Sequence, residues 1–398
     1  MKAFFWKEKE EEGRPIDNQQ KKAGSIPNLQ GGNTILRVEG RTLFASRGYR
    51  ILRSSDFGKS WQEDGRLPVS WWRKLSGVSP WLGRVTRGGV FHVLPQGDGA
   101  RIGIGPKLIA RAEPDSSEYR RVFRFPRGFR PLNLCQAPGG KIYWGEYFLN
   151  FRRSESVRIF ESDDGGRTWR SVFTFPPGAV CHVHRIVHDP HGDALLVCTG
   201  DRDRESAIWQ TSDEFQTLVP LVQGSQRFRT TCLIPQRDFL VYGTDNPRGK
   251  NFIMALDRKS GKAEEIQELP GPALYGTRVG EWLAFSTMVE KSSHEVTIWA
   301  GKGTSFARVA FFETLKGNQA WREIVGYSRV ILPEGKASWP WLYCTPVGTR
   351  DYGDQLIRIN LEKTGDLLEL MVHPPFFPAT DREREKGFEE EAHPQIRW

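Results

Sequence analysis

The chain has 398 residues, of which 38% are hydrophobic and 12% aromatic, enough for a well-buried core in one large body. Its 57 Lys and Arg against 48 Asp and Glu leave a formal charge of +9, which favours an anionic partner, although the cations are scattered and form no dense basic run. No apolar run approaches the roughly 20 residues of a membrane helix, and residues 1–6 are followed too quickly by charge to be a signal peptide, so the expectation is a cytoplasmic protein with no membrane partner.

In chain order, residues 1–30 are polar and charged, with Lys7-Glu8-Lys9-Glu10-Glu11-Glu12 among them, and read as an N-terminal extension. A single domain is expected over 31–375, followed by a charged tail over 376–398. Within the domain the stretch Ser54-Ser55-Asp56-Phe57-Gly58-Lys59-Ser60-Trp61 returns 108 residues later as Ser162-Asp163-Asp164-Gly165-Gly166-Arg167-Thr168-Trp169. A worn copy begins 49 residues further on, at Thr211-Ser212-Asp213-Glu214-Phe215-Gln216-Thr217-Leu218. The pattern S-x-D-x-G-x-[ST]-W makes sense as a hairpin lock. The carboxylate caps turn N–H groups, the glycine supplies a positive φ, and the tryptophan packs between neighbouring sheets. Ser54, Asp56, Gly58, Trp61, Ser162, Asp164, Gly166, Trp169 and Asp213 are therefore assigned to structure and not to chemistry.

A spacing of 108 is about two periods of 49, and a period of this size suits a four-stranded propeller blade. The interval from about Asn33 to about Met371 holds roughly seven such units. The expected fold is all-β, a seven-bladed β-propeller with four-stranded antiparallel blades; six blades is the alternative count. Strands are placed at Arg50-Ile51-Leu52, Val157 to Phe160, Ala207-Ile208-Trp209, Phe252 to Leu256, Val296 to Trp299 and Leu356 to Ile359, each leading into a turn-rich segment. The turns Asp257-Arg258-Lys259-Ser260-Gly261 and Glu362-Lys363-Thr364-Gly365 keep the turn chemistry without the full motif. With 41 Gly and 25 Pro spread along the chain, no span reads as a long amphipathic helix, which excludes an α/β fold. The five cysteines Cys135, Cys181, Cys198, Cys232 and Cys344 are odd in number and mostly set in apolar strands, which points to buried thiols and not to disulfides or a zinc cluster.

In a propeller the chemistry belongs at one mouth of the central channel. Glu146 and Asn150 precede Arg152 and Arg153 before the second full copy of the turn. Cys181-His182-Val183-His184 begins a strand, and period-2 spacing puts both imidazoles on one face. Asp201, Asp245 and Glu290 end the second strands of successive units at spacings of 44 and 45 residues. As plain structure, acids at strand ends cap turns and such histidines sit hydrogen-bonded in a core. Gln226 and Arg229 stand before an apolar strand, and Tyr275 opens another. His182 and His184 with Asp201 are residue types that can hold a divalent metal ion. Arg229 is the expected anchor of a substrate anion. For an anionic partner, an acidic oligo- or polysaccharide is favoured over nucleic acid, because no nucleic-acid motif is present and the aromatics fall at strand positions.

The repeated turns resemble the Asp-box of the sialidase superfamily and of other Asp-box (BNR-repeat) propellers, over most of the chain as architecture. The resemblance implies for a sialidase an arginine triad, an early Phe-Arg-Ile-Pro motif, an Asp acid/base and a Tyr/Glu nucleophile pair. Tyr49-Arg50-Ile51-Leu52 is similar to the early motif, but Leu52 replaces its proline. The stretch from Gly145 to Glu290 is more similar to Asp-box propellers known only by their repeats. Propeller polysaccharide lyases, which use His, Tyr and Arg beside a uronate carboxylate, offer a second analogy.

Together these features lead to a carbohydrate-active propeller that binds an acidic saccharide at the channel mouth. Glu146, Asn150, Asp201, Gln226 and Arg229 are assigned to binding; His182, His184, Asp245, Tyr275 and Glu290 are assigned to chemistry. In a glycosidase, Asp245 and Glu290 supply acid and base or nucleophile; in a lyase, His182 or Tyr275 takes the proton while Arg229 neutralises the carboxylate. The alternative is a non-catalytic interaction scaffold whose mouth residues satisfy one another.

Overall fold

The computed structural model describes residues 33–71, 73, 88–289, 295–314, 328–350, 356–362 and 370–372. Both expected tails, and Glu290 with them, lie outside the described residues.

The apolar runs named from the sequence become the third strands of antiparallel meanders: Arg50–Ser54, Val157–Ser162, Ala207–Thr211, Asn251–Asp257, Glu295–Lys302 and Ile357–Asn360. A further third strand, Leu108–Ala112, was not anticipated, because Arg111 interrupts its apolar pattern and no copy of the turn follows it. Five four-stranded sheets span His92–Arg124, Cys135–Phe175, Val183–Gln223, Cys232–Leu269 and Arg329–Val372. A nine-stranded sheet contains two more four-stranded meanders, Asn33–Arg66 and Ala273–Glu313, joined by the strand Glu334–Ala337. The fold is an all-β propeller. Helical structure among the described residues is confined to short turns such as Asp203–Glu205 and Gln226–Phe228, and no described helix is long and apolar enough to cross a membrane.

Repetition extends to a register shift between third and fourth strands, at Ile51/Leu52, Ile109/Ala110, Ile159/Phe160, Ile208/Trp209, Ile253/Met254 and Ile298/Trp299. Such bulges increase twist, which lets the outer strand bend away from its neighbours. Second strands such as Ala194–Thr199 are buried throughout, whereas the outer strand Val219–Gln223 is largely exposed.

The three copies of the turn fold alike. Gly58 N and Gly166 N donate to the Oγ of Ser54 and Ser162, at 2.9 and 2.8 Å. Asp56 Oδ1 and Asp164 Oδ1 accept from Ser60 N and Thr168 N, both at 2.9 Å, and Trp61 Nε1 donates to Gly58 O at 3.0 Å. The worn copy keeps the bonds, Phe215 N to Thr211 Oγ1 at 3.0 Å and Thr217 N to Asp213 Oδ1 at 2.9 Å, but Phe215 must occupy φ 71°, a region costly for a side chain. Burial against Tyr143, with ring centroids 5.4 Å apart, offsets that strain. Gly166 wedges into the preceding sheet, where a Cβ would come within 2.4 Å of Ile102 Cδ1. A Cβ on Gly58 would lie 3.5 Å from Leu356 Cδ2, so the N-terminal meander abuts the C-terminal sheet.

That closure is reinforced by Ile35 N donating to Thr345 Oγ1 at 3.1 Å and by Glu334–Ala337, which pairs in parallel with both Asn33–Gly40 and Ala273–Val279. Glu334 is thereby carried to within 3.7 Å of Arg37 and of His92. Burial alone would raise its pKa, but His92, Arg185 and Arg37 hold it down at about 2. All five cysteines are free and buried, as their apolar setting implied.

Candidate functional site at the channel mouth

In an antiparallel meander the first-to-second and third-to-fourth connections share one end, and the second-to-third connections and the lead-ins to each sheet share the other. The repeated turns therefore occupy the end opposite to Glu146, Asp201 and Asp245. At this second end, three sheets converge.

His182 precedes the strand Val183–Asp189, and His184 stands at its register shift between Val183 and Arg185. Their Nε2 atoms approach to 3.0 Å, and His182 Nδ1 lies 3.3 Å from Phe148 O. Asp201 Oδ1 is 3.4 Å from His182 Nε2 and 3.7 Å from His184 Nε2. Asp201 holds φ 108°, a backbone strain of the kind that clusters at functional sites. The preceding Gly200 is required by close approach, since a Cβ there would meet His184 Cε1 at 2.7 Å and Arg229 Cγ at 2.9 Å.

Arg229, delivered by the 3-10 turn Gln226–Phe228, bridges the two acids: Nη2 is 3.3 Å from Asp201 Oδ1 and Nε is 3.3 Å from Asp245 Oδ2. The second approach is an ion pair without hydrogen-bond alignment. Arg229 Nη1 and Gln226 Nε2 also donate to the Asp201 carbonyl, at 3.2 and 3.4 Å. The Tyr147 ring packs against the His182 ring with centroids 4.1 Å apart.

Beneath the cluster the buried Arg153 grips the buried Glu205, Nε to Oε1 at 2.7 Å and Nη2 to Oε2 at 3.0 Å, and Glu205 Oε2 accepts from Cys181 N at 3.1 Å. This ion pair ties the loop after Asp201 to the segment that carries both histidines.

The electrostatics separate groups of the same type. Burial lowers the pKa of His182, but its hydrogen bond to Asp201, with further help from Cys181, carries the imidazole up to about 9. His184 is driven down to about 4 by burial and by the charges of His182 and Arg229, against the pull of Asp201. Burial opposes ionisation of Asp201 too, yet hydrogen bonds from both histidines hold it well below the usual carboxylate range. Asp245 moves the other way, raised to about 6 by burial and the neighbouring Asp201 despite Arg229.

Not every expected residue joins this cluster. Glu146 is buried and consumed by arginines: it pairs with Arg127, and accepts from Arg158 N at 2.9 Å and from Arg158 Nη2 at 3.0 Å. Asn150 clamps its own loop, donating to Glu155 O at 2.9 Å. Both were expected to bind substrate; in the structure nearby arginines and backbone groups engage their polar atoms. Tyr275, half-buried on the strand Ala273–Val279, packs against the apolar cluster that contains Val279, Val289 and Val330 and does not contact the His182–Asp201 group.

Three residues escaped notice in the sequence. Tyr147 was hidden beside Glu146, and Cys181 was set aside as a core thiol. Arg130 precedes the strand Cys135–Gln136 much as Arg229 precedes Cys232–Pro235, a parallel that was available. Its guanidinium stacks over Phe91 at 4.5 Å and donates only to Pro131 O, at 3.3 Å. Burial lowers its pKa, as does Arg329, against the opposing influence of Tyr275, Tyr147 and Glu334.

No family model matches the sequence, and no curated protein matches it. Among solved structures the chain is similar to an ancestral GH74 enzyme, with a TM-score of 0.55 and 12% identity over 86% of this chain and 46% of that one. It is also similar to a prolyl endopeptidase, with a TM-score of 0.53 and 12% identity over 86% of this chain and 50% of that one. The chain spans about half the length of these two proteins. An oligogalacturonate lyase from Vibrio parahaemolyticus aligns over 85% of this chain and 90% of its own at 10% identity, with a TM-score of 0.49. At 12% identity the first two likenesses support the propeller fold and nothing finer.

Proposed function

We propose that the channel mouth binds a carboxylate-bearing saccharide, with Arg130 as the anchor. The observation that carries this is that Arg130 donates only to Pro131 O and has no carboxylate partner among the described residues, whereas Arg37 is taken up by Glu39 and Glu334, Arg229 by Asp201 and Asp245, and Arg153 by Glu205. A desolvated guanidinium is costly to leave without an anion, and its fork suits a carboxylate. Tyr147 and Tyr275 are near enough to act on its charge, and their rings and hydroxyls are of a kind suited to a sugar. The propeller has seven blades in this proposal, counting both meanders of the nine-stranded sheet, and its turns ally it with the Asp-box propellers.

Catalysis would fall to Asp245. Two acids whose environments drive their pKa values apart are the usual signature of an acid/base assignment, and a carboxyl at about 6 beside an ionised Asp201 can both give and take a proton near neutrality. In hydrolysis Asp245 protonates the leaving oxygen. In elimination Tyr275 takes the proton while Arg130 neutralises the uronate. A non-catalytic scaffold is favoured by one observation, the mutual pairing of Arg229 with Asp201 and Asp245.

Calorimetric titration with oligouronates, sialylated oligosaccharides and neutral oligosaccharides tests the proposal. An acidic glycan is expected to bind, and Arg130→Met is expected to weaken it by about 2 to 4 kcal/mol with folding unchanged. Failure of every acidic glycan, or equal binding by the variant, would overturn it. New reducing ends or unsaturated-uronate absorbance during incubation would separate an enzyme from a scaffold.

A further inference from the structure

We propose that His182, His184, Asp201 and Cys181 form a zinc-type site at the head of the strand Val183–Asp189. The three atoms His182 Nε2, His184 Nε2 and Asp201 Oδ1 make a triangle with sides of 3.0, 3.4 and 3.7 Å. The point equidistant from its corners lies about 2.0 Å from each, which is the Zn–N and Zn–O bond length. A metal ion can therefore occupy the triangle with its ligands where they already stand.

Cys181 supplies the fourth corner. Its Sγ, a ligand atom of His182 and one of Asp201 all lie within 4.8 Å of one another. Nitrogen, oxygen and sulfur donors in one set select zinc over calcium or magnesium, which take oxygen ligands.

The surroundings support the ligand geometry. Phe148 O can accept from His182 Nδ1–H, which leaves Nε2 to release its proton and offer its lone pair when a metal binds, in the manner of partners that orient metal-bound histidines. Arg229 Nη2 also lies 3.3 Å from Asp201 Oδ1, which holds the carboxylate in place beside the two imidazoles, and Asp245 pairs with the same guanidinium. The Arg153–Glu205 pair fixes the Cys181 backbone through its N–H. The two imidazoles face each other through Nε2, so without a metal the pair can use only one N–H between them, whereas a cation engages both lone pairs.

The site stands apart from the saccharide proposal, because its readouts involve no glycan. The full-length protein, loaded with zinc and freed of excess by gel filtration, is expected to retain one equivalent by elemental analysis. Cobalt(II) in its place is expected to give intense visible bands of tetrahedral coordination and a near-ultraviolet thiolate-to-cobalt band. Cys181→Ser should abolish the thiolate band while keeping the cobalt. His184→Gln, which preserves bulk, should weaken zinc binding at least tenfold with the circular dichroism unchanged. If His184→Gln does not fold, a chelator-induced fall in the thermal midpoint of the wild-type protein carries the same test. Failure to retain zinc, or a midpoint indifferent to both zinc and chelator, would overturn the site. Cobalt bound without the thiolate band would remove Cys181 from it.

Discussion

Asp245 is a buried acid whose carboxyl is displaced from the ordinary 3.8 to about 6, and this displacement makes a stability prediction. Between those two pH values the unfolded chain has released the proton and the folded chain has kept it. The stability of the wild-type protein therefore falls as pH rises through the window, and the loss is complete above about 6. At about 1.4 kcal/mol per pH unit, the ionised carboxylate costs the fold about 3 kcal/mol at pH 7.5 and about 1 kcal/mol at pH 4.5. Asp245→Asn keeps the shape and has no proton to lose. The variant is thus expected to be more stable than wild type by about 3 kcal/mol at pH 7.5 and by about 1 kcal/mol at pH 4.5. Contributions from Asp201 and the histidines are common to both proteins and cancel in the difference. Urea denaturation of the two proteins at both pH values measures it. A variant less stable than wild type at pH 7.5, or a gap identical at both pH values, would refute the reasoning. Gain of stability with loss of turnover is the pattern of a group kept for chemistry at the expense of the fold.

Two further outcomes bear on the rest of the molecule. Arg229→Met should destabilise the protein by about 3 to 5 kcal/mol at neutral pH, because it leaves Asp201 and Asp245 without their shared counter-ion; loss of ligand binding with an unchanged denaturation midpoint would instead make Arg229 the anion anchor. Asp164→Ala removes acceptors for Thr168 N, Arg167 N and the Ser162 and Thr168 hydroxyls and should cost about 1 to 2 kcal/mol, with ligand affinity intact. Loss of affinity in the folded variant would mean that the repeated turn takes part in binding.

The propeller architecture was legible in the sequence because its signals are local. A turn whose hydrogen bonds run from Ser54 to Gly58 and from Asp56 to Ser60 writes its whole geometry into a few residues, and repetition of that turn sets the period. Period-2 spacing likewise brought His182 and His184 to one face, and the matched strand ends of Asp201 and Asp245 brought both to one mouth. The strand Leu108–Ala112 was missed because a buried arginine sits in it, its guanidinium bonded to Gly165 O of the next sheet at 3.0 Å. No local pattern announces such a partner.

What the sequence determined by itself, then, is where strands and locking turns lie and which end of the barrel of sheets gathers polar residues, since both depend on neighbours a few positions apart. What only the tertiary structure decided is which polar residues are spent. Glu146 is consumed by Arg127, 19 residues away, and Arg158, 12 residues away. Arg229 answers to Asp201, whose backbone it contacts across 28 residues. Arg130 is left without a carboxylate among the described residues, and Cys181 arrives beside Asp201 through a buried ion pair between Arg153 and Glu205, 52 residues apart. A charge is neutralised by whatever the fold brings within a few ångströms of it, and that distance is set by the packing of sheets against one another, which residue order encodes only through the completed ring.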